Sequence, residues 1–378
     1  MPGIYPSVLD AVGRTPLVRL GRLAERPDVE ILAKLDYLNP GGSTKDRPLV
    51  RMVEEAEIHG DLKPGATIID SSSGNFAIAM AMAGAVKGYR VICVVDPKLT
   101  DVIKRMLLSL GAHLEYATEA DETGSYLRNR LALRDRLVRT TPEAWCPDQY
   151  RNKASIRAHY YGTGAEIVAA VDGRLDVLMV AVGTGGTISG SARMVKKHLP
   201  GVKVVAADAV GSKIFDDEIY RWLQKGLGSG LRAEELENLE ESVIDEVRIV
   251  SDQDAFMTAR ALARNEGMLA GGSAGCATFA ALTVSHDLPP GARIVTILPD
   301  RLERYLFEHA SDAWMTEHRF DDDTRPEAVW QAVHAWRRQV RTLHAPKGIP
   351  VLKKGKAVEE ASEEATQALQ SAGAPSTS

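Results

Sequence analysis

The stretch from residue 177 to residue 187 reads Val-Leu-Met-Val-Ala-Val-Gly-Thr-Gly-Gly-Thr and predicts a strand, a glycine-rich turn and the start of a helix. Because the apolar run has no polar alternation, it is typical of a strand covered on both faces, as in a parallel sheet. The N–H groups at such a helix start favour a bound phosphate. The sixth position of the loop is Ile188 and no Gly-Lys-Ser/Thr follows, so the loop matches neither a dinucleotide fingerprint nor a P-loop.

Outward from this unit, strand-like and helix-like stretches alternate along most of the chain. Short β-branched runs occur at residues 31–34, 67–70, 91–95, 202–207, 247–250 and 294–298. Helical patterns lie between them at residues 76–86, 100–110, 125–139, 155–171, 188–199, 254–266 and 275–285. This order predicts an α/β protein built on mostly parallel, twisted sheets.

The pattern changes after residue 320. Apolar residues recur there at spacings of four and three, which predicts one amphipathic helix within residues 321–345. These residues are Val329, Val333, Trp336, Val340 and Leu343. The apolar stripe must be covered, either by the chain's own core or by a partner subunit. Residues 346–378 are rich in Lys, Glu, Ala, Ser and Gln without periodicity, which predicts a disordered tail.

Composition narrows the class of protein. The chain has 378 residues, 44% hydrophobic and 26% charged, as expected of a globular protein with a large core. A net charge of −5 indicates neither a nucleic-acid partner nor a membrane surface, and no apolar stretch is long enough to span a bilayer. Three cysteines argue against a disulfide framework and favour a cytoplasmic location. We therefore expect small-molecule partners.

Three further loops carry polar groups next to a helix start. Residues 39–47 read Asn-Pro-Gly-Gly-Ser-Thr-Lys-Asp-Arg and include Lys45. Residues 71–75 read Ser-Ser-Ser-Gly-Asn and follow a strand, so their hydroxyl and N–H groups can hold a carboxylate. Residues 271–275 read Gly-Gly-Ser-Ala-Gly. Taken singly, each loop has a purely structural explanation, as a surface lysine, a helix cap or a close helix–sheet contact.

Taken together and in this order, the four loops resemble the pyridoxal-phosphate enzymes of fold type II (tryptophan synthase β-like), and among them the cysteine synthase and cystathionine β-synthase family. The similarity runs from residue 5 to residue 314 and includes Val-Gly-Arg-Thr-Pro-Leu-Val at residues 12–18. It implies a larger cofactor-binding domain of residues 1–44 and 151–320 and a smaller, mobile substrate domain of residues 45–150. It also implies a homodimer.

The resemblance implies a role for each matching residue. Lys45 matches the lysine that carries pyridoxal 5′-phosphate, Asn75 the partner of the cofactor's 3′-oxygen, and Ser273 the partner of its pyridine nitrogen. The cofactor phosphate is expected on Gly183, Thr184, Gly185, Gly186 and Thr187, and the substrate carboxylate on Ser72, Ser73, Gly74 and Gln149. No metal ion is expected.

These residue types fit a β-replacement reaction. A hydroxyl at Ser273 does not favour protonation of the pyridine, so loss of a β-leaving group is favoured over transamination. Lys45 can act as the general base at the substrate Cα if burial and cofactor charge lower its pKa. The expected sequence is β-elimination to an aminoacrylate, followed by addition of a nucleophile.

Four segments, at residues 93–98, 208–212, 299–301 and 311–314, resemble one branch of the family, the N-(2-amino-2-carboxyethyl)-L-glutamate synthases. Those enzymes join O-phospho-L-serine to the amine of L-glutamate in the biosynthesis of 2,3-diaminopropionate. Arg130 and Tyr150 match positions near their substrate. An arginine suits a phosphate leaving group, although Arg130 lies on a charged helix face where a solvated role is as common.

Two departures keep other nucleophiles open. The phosphate loop begins with Gly183, as in cysteine synthases, where the glutamate-using enzymes carry serine. The helix and tail after residue 320 have no counterpart in that branch. Cysteine synthase or S-sulfocysteine synthase, using sulfide or thiosulfate, is therefore the alternative. Cystathionine β-synthase and a non-catalytic binding partner are less favoured, the latter because Lys45, Asn75 and Ser273 are all present.

Overall fold

The structure is a computed structural model that describes residues 3–120, 126–218, 220–344 and 348–354. The strands are Leu17–Arg19 (β1), Glu30–Lys34 (β2), Thr67–Ser71 (β3), Arg90–Val95 (β4), His113–Tyr116 (β5), Ala144–Trp145 (β6), Val177–Ala181 (β7), Lys203–Ala209 (β8), Glu246–Val250 (β9), Arg293–Ile297 (β10), Val340–His344 (β11) and Pro350–Lys354 (β12). The α-helices are Asp46–His59 (α1), Asn75–Lys87 (α2), Asp101–Ser109 (α3), Leu127–Thr140 (α4), Ala154–His159 (α5), Ala165–Ala170 (α6), Gly186–His198 (α7), Asp252–Glu266 (α8), Gly272–Ser285 (α9), Asp312–Glu317 (α10) and Pro326–Gln339 (α11).

The strands form two sheets. One sheet has eight strands in the order β1-β2-β10-β7-β8-β9-β12-β11, and the other has four in the order β5-β4-β3-β6. All pairs in the smaller sheet are parallel. In the larger sheet only the outermost pairs, β1 with β2 and β11 with β12, are antiparallel. The prediction of an α/β fold with mostly parallel sheets is confirmed.

Both faces of the larger sheet are covered. Along β7, Val177 and Met179 face the core beneath α8 and α9, whereas Leu178 and Val180 face the core beneath α6 and α7. This explains why the run lacks polar alternation, since neither face meets water. A third core lies between the smaller sheet and helices α1, α2 and α3. Among the described residues, no helix is both long and apolar enough to cross a membrane.

The predicted helix at residues 155–171 is divided into α5, a π-helical segment at Tyr160–Gly164, and α6. This interrupted helix lies against α7 with almost no space between the backbones. A Cβ atom added to Gly190 would come within 2.3 Å of the Ile156 carbonyl oxygen, and one added to Gly164 within 2.8 Å of Met194 Cβ. The close contact fixes the start of α7, where the glycine-rich loop of residues 183–187 lies.

The C-terminal part differs from the prediction. Helix α11 ends at Gln339 and residues 340–344 form strand β11, so the prediction of a helix to residue 345 was wrong. Residues 350–354, assigned to the disordered tail, form strand β12, which pairs with β11 and with β9. Residues 340–344 include β-branched side chains and fit a strand as well as a helix end. They form a strand because they pair with β12. Residues 345–347 and 355–378 of the expected tail lie outside the described residues.

The apolar stripe of α11 is covered by the chain's own core. Val329, Val333 and Trp336 are at most 1% exposed and belong to the core beneath α8 and α9. Trp336 Nε1 also donates a hydrogen bond to the Ile249 carbonyl oxygen at 3.2 Å. The chain's own core therefore covers these three residues of the predicted stripe, whereas Leu343, in β11, is 37% exposed.

Replacing Trp336 with alanine tests this packing. Trp336→Ala is expected to lower the free energy of unfolding by about 3–5 kcal/mol, because it leaves a large cavity and removes a buried hydrogen bond. Gln331→Ala, at an exposed position on the same helix, is the matched control and should change it by less than about 0.5 kcal/mol. Urea unfolding measures both. Equal effects of the two substitutions would mean that α11 is not packed on the core.

Candidate active site

A cavity of about 250 Å³ lies where the two sheets approach each other. Its wall includes Ser71 at the end of β3, Ala181 at the end of β7 and Ile297 at the end of β10. The carboxyl ends of parallel strands from both sheets therefore meet at one place. This is where open α/β sheets usually bind their ligands, because strand-to-helix loops and helix N-termini converge there.

Thirteen of the fourteen predicted site residues line this cavity. They are Lys45, Ser72, Ser73, Gly74, Asn75, Arg130, Gln149, Tyr150, Gly183, Thr184, Gly185, Thr187 and Ser273. The exception is Gly186, the first residue of α7. A Cβ atom at Gly186 would come within 2.1 Å of Ser155 Oγ, so this glycine is required by the packing of α7 on α5. The other residues converge from widely separated loops.

Lys45 immediately precedes α1 and projects into the cavity. Its Nζ donates a hydrogen bond to Thr184 Oγ1 at 3.3 Å, which links the lysine to the glycine-rich loop. Burial lowers the pKa of Lys45 to about 8, although the nearby Asp300 carboxylate opposes the shift. A lysine with such a pKa is neutral in a useful fraction of molecules near neutral pH, so it can act as a nucleophile or as a base.

The glycine-rich loop of residues 183–187 connects β7 to α7. Gly185 has a φ of +89°, and a Cβ atom there would come within 2.6 Å of the Leu239 backbone, so only glycine fits. The loop brings the N-terminus of a 13-residue helix to the cavity. Thr184 and Thr187 line the same wall. Backbone N–H groups, a helix dipole and two hydroxyls are suited to a phosphate.

A buried histidine lies behind this loop. His159 Nε2 is 3.2 Å from Thr187 Oγ1, and its Nδ1 is 3.0 Å from Thr163 Oγ1. Burial lowers the pKa of His159 to about 3, so its imidazole is neutral at physiological pH. A neutral ring between two hydroxyls orients Thr187 without placing a charge behind the glycine-rich loop. Sequence analysis missed this residue, because the contact joins α5 to α7 across the core.

The serine loop of residues 71–75 lies at the end of β3 and leads into α2. Ser72 Oγ accepts hydrogen bonds from the Gly74 and Ala77 N–H groups at 3.4 and 3.2 Å. Gln149 Nε2 donates to the Ser71 carbonyl oxygen at 3.4 Å, which fixes the glutamine amide beside the loop. The N-terminus of α2 and these side chains form a polar corner that can receive a carboxylate.

Arg130 is held at the cavity and is not a solvated surface residue. Its side chain is only 15% exposed. Nη1 donates to Ser73 Oγ at 3.1 Å and lies 3.2 Å from Asp96 Oδ2. The Arg130 Nε is buried without a hydrogen-bond partner. Tyr150 lines the same wall, and burial raises the pKa of its phenol, so the ring is neutral.

Opposite this corner, Asp300 binds two neighbours. Asn75 Nδ2 and Tyr305 Oη donate hydrogen bonds to Asp300 Oδ2 at 2.7 and 2.5 Å. Burial raises the pKa of Asp300, while the Arg304 guanidinium and the Tyr305 hydroxyl lower it. Sequence analysis assigned no role to Asp300 or Tyr305. A buried acid in the loop that follows β10, at the edge where the strands' carboxyl ends meet, is the signal that could have identified Asp300.

The residues present fit pyridoxal phosphate. Three buried oxygens of the cavity wall, Asn75 Oδ1, Ser273 Oγ and Asp300 Oδ1, have no hydrogen-bond partner within the protein. Buried polar atoms rarely stay unpaired, so these atoms are suited to the polar edge of a bound ring. A glycine-rich helix start for a phosphate and a lysine of lowered pKa complete the set that this cofactor requires.

Comparison with known proteins gives the same assignment. Residues 8–300 match the family model described as pyridoxal-phosphate dependent enzyme. The chain is 41% identical over 312 residues to an N-(2-amino-2-carboxyethyl)-L-glutamate synthase of Ralstonia nicotianae, covering 82% of this chain and 91% of that protein.

Solved structures are also similar. The O-acetylserine dependent cystathionine β-synthase of Helicobacter pylori is 30% identical, with a TM-score of 0.74 over 81% of this chain and 99% of that one. O-ureido-L-serine synthase is 32% identical, with a TM-score of 0.75 over 83% of this chain and 100% of that one. The resemblance drawn from the four loops is confirmed: the chain belongs to the family of pyridoxal-phosphate dependent enzymes.

Proposed function

We propose that the protein is a pyridoxal-phosphate dependent β-replacement synthase that joins O-phospho-L-serine to the amine of L-glutamate. The product would be N-(2-amino-2-carboxyethyl)-L-glutamate. The observation that carries the choice of donor is the placement of Arg130, held beside the serine loop with a buried Nε that has no partner. The 41% identity to a synthase of that name supports the choice of acceptor.

The cofactor would supply the electron sink, and residues of the protein would hold it in place. Pyridoxal phosphate, when bound, supplies the electron sink for chemistry at the substrate Cα and Cβ. Lys45 would carry it, Gly183, Thr184, Gly185, Gly186 and Thr187 would hold its phosphate, and Asn75 and Ser273 would bind its 3′-oxygen and ring nitrogen. The unpaired Asn75 Oδ1 and Ser273 Oγ support these two roles.

The protein's own proton carrier is Lys45. Its Nζ, with a pKa of about 8, can take the proton from the substrate Cα and return one when the new bond has formed. The hydrogen bond to Thr184 keeps Nζ oriented towards the cavity. Asp300 prevents the pKa from falling further, because its negative charge stabilises the ammonium form.

The substrate carboxylate is assigned to the corner formed by Ser72, Ser73, Gly74 and Gln149. The N-terminus of α2 attracts a carboxylate, and the fixed amide of Gln149 can donate to it. A carboxylate held there is near Arg130, which binds Ser73 through Nη1. The Arg130 Nε remains for the oxygens of a β-phosphate, and a guanidinium is well matched to such a group.

We further propose that residues 45–150 move as a unit over the bound substrate, in a cytoplasmic homodimer. All four strands of the smaller sheet and the serine loop lie in this range, whereas the glycine-rich loop belongs to the larger sheet. Closure would therefore bring the carboxylate corner towards the cofactor and exclude water, which suppresses hydrolysis of the reactive intermediate.

Sulfide and thiosulfate remain the alternative acceptors, and one observation favours them. The glutamate-using enzymes carry serine at the position of Gly183. A Cβ atom added to Gly183 would come within 3.1 Å of the Gly226 carbonyl oxygen. A serine there would need a small shift of residues 226–228. The packing of this loop therefore suits the glycine that cysteine synthases are expected to share.

Substitution of Arg130 tests the donor. Arg130→Ala is expected to lower kcat/KM for O-phospho-L-serine by about 10- to 100-fold, because charge-assisted hydrogen bonds to the phosphate are lost. The value for O-acetyl-L-serine should fall much less, since its leaving group is neutral. Arg128→Ala, at an exposed position on the same helix, should change neither. An equal loss with both esters would show that Arg130 only supports the serine loop.

Product analysis tests the acceptor. The purified enzyme with O-phospho-L-serine is offered L-glutamate, sulfide, thiosulfate or homocysteine, and products are identified by mass spectrometry. We expect efficient turnover with L-glutamate and a product of the corresponding mass. If sulfide or thiosulfate is consumed while L-glutamate is unchanged, the protein is a cysteine or S-sulfocysteine synthase and the proposed acceptor is wrong.

A further inference from the structure

Away from the active site, three side chains from distant parts of the chain come together beside α11. Glu25 lies between β1 and β2, His286 is the C-cap residue that follows α9, and His334 lies in α11. One potential ligand atom from each lies within 4.8 Å of the other two. Among the described residues, this is the only cluster of three or more such side chains close enough to hold a metal ion. None of the three lines the active-site cavity.

Each imidazole places its Nε2 atom next to the Glu25 carboxylate. His334 Nε2 is 2.9 Å from Glu25 Oε1, and His286 Nε2 is 3.1 Å from Glu25 Oε2. The two rings are 5.0 Å apart between centroids and inclined at 64°. Glu25 Oε2 is buried but has no hydrogen-bond partner, so its contact with His286 is not a well-directed hydrogen bond. This leaves a buried carboxylate oxygen facing an imidazole nitrogen without a satisfied bond between them.

The surrounding contacts hold the three residues in place. Trp330 Nε1 donates to the Leu23 carbonyl oxygen at 3.0 Å, which fixes α11 against the segment that carries Glu25. Arg337 binds Asp287 at 2.9 Å, which ties the same helix to the end of α9. The cluster is therefore framed on both sides by contacts that do not involve its own members.

Two arginines, Arg26 and Arg337, lie near His286. Both arginines are themselves paired with carboxylates, Arg337 with Asp287 and Arg26 with Asp28. Their positive charge near the cluster is thus partly neutralised, which lowers the repulsion of a bound cation.

We propose that Glu25, His286 and His334 form a binding site for one divalent transition-metal ion, with Zn²⁺ as the preferred ion. Two imidazole nitrogens and one carboxylate are a common zinc ligand set, whereas Mg²⁺ and Ca²⁺ prefer oxygen ligands. A tetrahedral Zn²⁺ at about 2.0–2.1 Å from each ligand needs ligand atoms about 3.3 Å apart. The His334 Nε2–Glu25 Oε1 distance of 2.9 Å and the His286 Nε2–Glu25 Oε2 distance of 3.1 Å are within a few tenths of an ångström of this value. Because one ligand atom from each residue lies within 4.8 Å of the other two, small side-chain movements would complete the tetrahedral set. Because His334 is 38% exposed, water can supply the fourth ligand.

Such a site would link the C-terminal extension, meaning the residues after 300, to the rest of the protein. The match to the enzyme family ends at residue 300, so His334 belongs to the extension, while Glu25 and His286 belong to the family's own fold. A metal ion bound to all three stabilises the folded state but not the unfolded chain, in which the ligands are far apart. The inference is independent of the proposed substrates.

Isothermal titration of the full-length, cofactor-loaded enzyme with Zn²⁺ tests the site. We expect one saturable equivalent per chain in the wild type, and loss of that equivalent in both His334→Gln and His286→Gln. His113→Gln is the matched control, because His113 lies 3.0 Å from Glu115 in an exposed pair that has no third ligand. This control should bind Zn²⁺ as the wild type does.

Thermal unfolding of the same four proteins provides the second readout. At a Zn²⁺ concentration a hundredfold above Kd, the wild type and His113→Gln should unfold about 3 °C higher than without metal, and the two site variants should not shift. Failure of the wild type to bind, or equal binding by His334→Gln, would overturn the proposal. The three side chains would then only join α11 to the core through polar contacts.

Discussion

The position of Lys45 depends on a buried arginine two residues further along the chain. Arg47 binds Asp36 through Nε and Nη2 at 3.1 and 2.9 Å, and it binds Glu166 through Nη1 and Nη2 at 2.7 and 2.8 Å. Burial alone would raise the pKa of Asp36, but the Arg47 guanidinium holds it well below its usual range. Because an unpaired charge in this interior would be very costly, all three groups are confined to one arrangement. Thr44 Oγ1 also donates to Asp36, so the residues on both sides of Lys45 are fixed.

Around this anchor the two sheets supply different parts of the site. The larger sheet carries the glycine-rich loop, Ser273 and Asp300, whereas the smaller sheet carries the serine loop and leads into α2. The Asn75–Asp300 hydrogen bond crosses between these parts at 2.7 Å. A cavity at such a junction allows a cofactor to be held by one side and a substrate carboxylate by the other. The chemistry and the proposed closing motion therefore follow from the same architecture.

Local sequence determined much of this architecture. The apolar run before Gly183 and the glycine and serine loops were sufficient to predict parallel strands and helix starts. Thirteen of the fourteen site residues that the family resemblance implies line the cavity. The features that sequence could not reveal depend on contacts between distant segments. The contact of His159 with Thr187 joins two helices, and Asp300 is recognised as a site residue only from its hydrogen bonds with Asn75 and Tyr305. The switch from helix to strand after Gln339 depends on pairing with residues 350–354.

The central claim is that Lys45 is the residue that carries the cofactor, and borohydride reduction followed by peptide mass mapping tests it most directly. Reduction fixes the bound cofactor to its lysine, so digestion reveals the site without any knowledge of the substrate. The structure predicts a single modified peptide that contains Lys45, because this lysine lies in the cavity with a pKa lowered by burial. A stoichiometric adduct on another lysine, with Lys45 unmodified, would contradict the account.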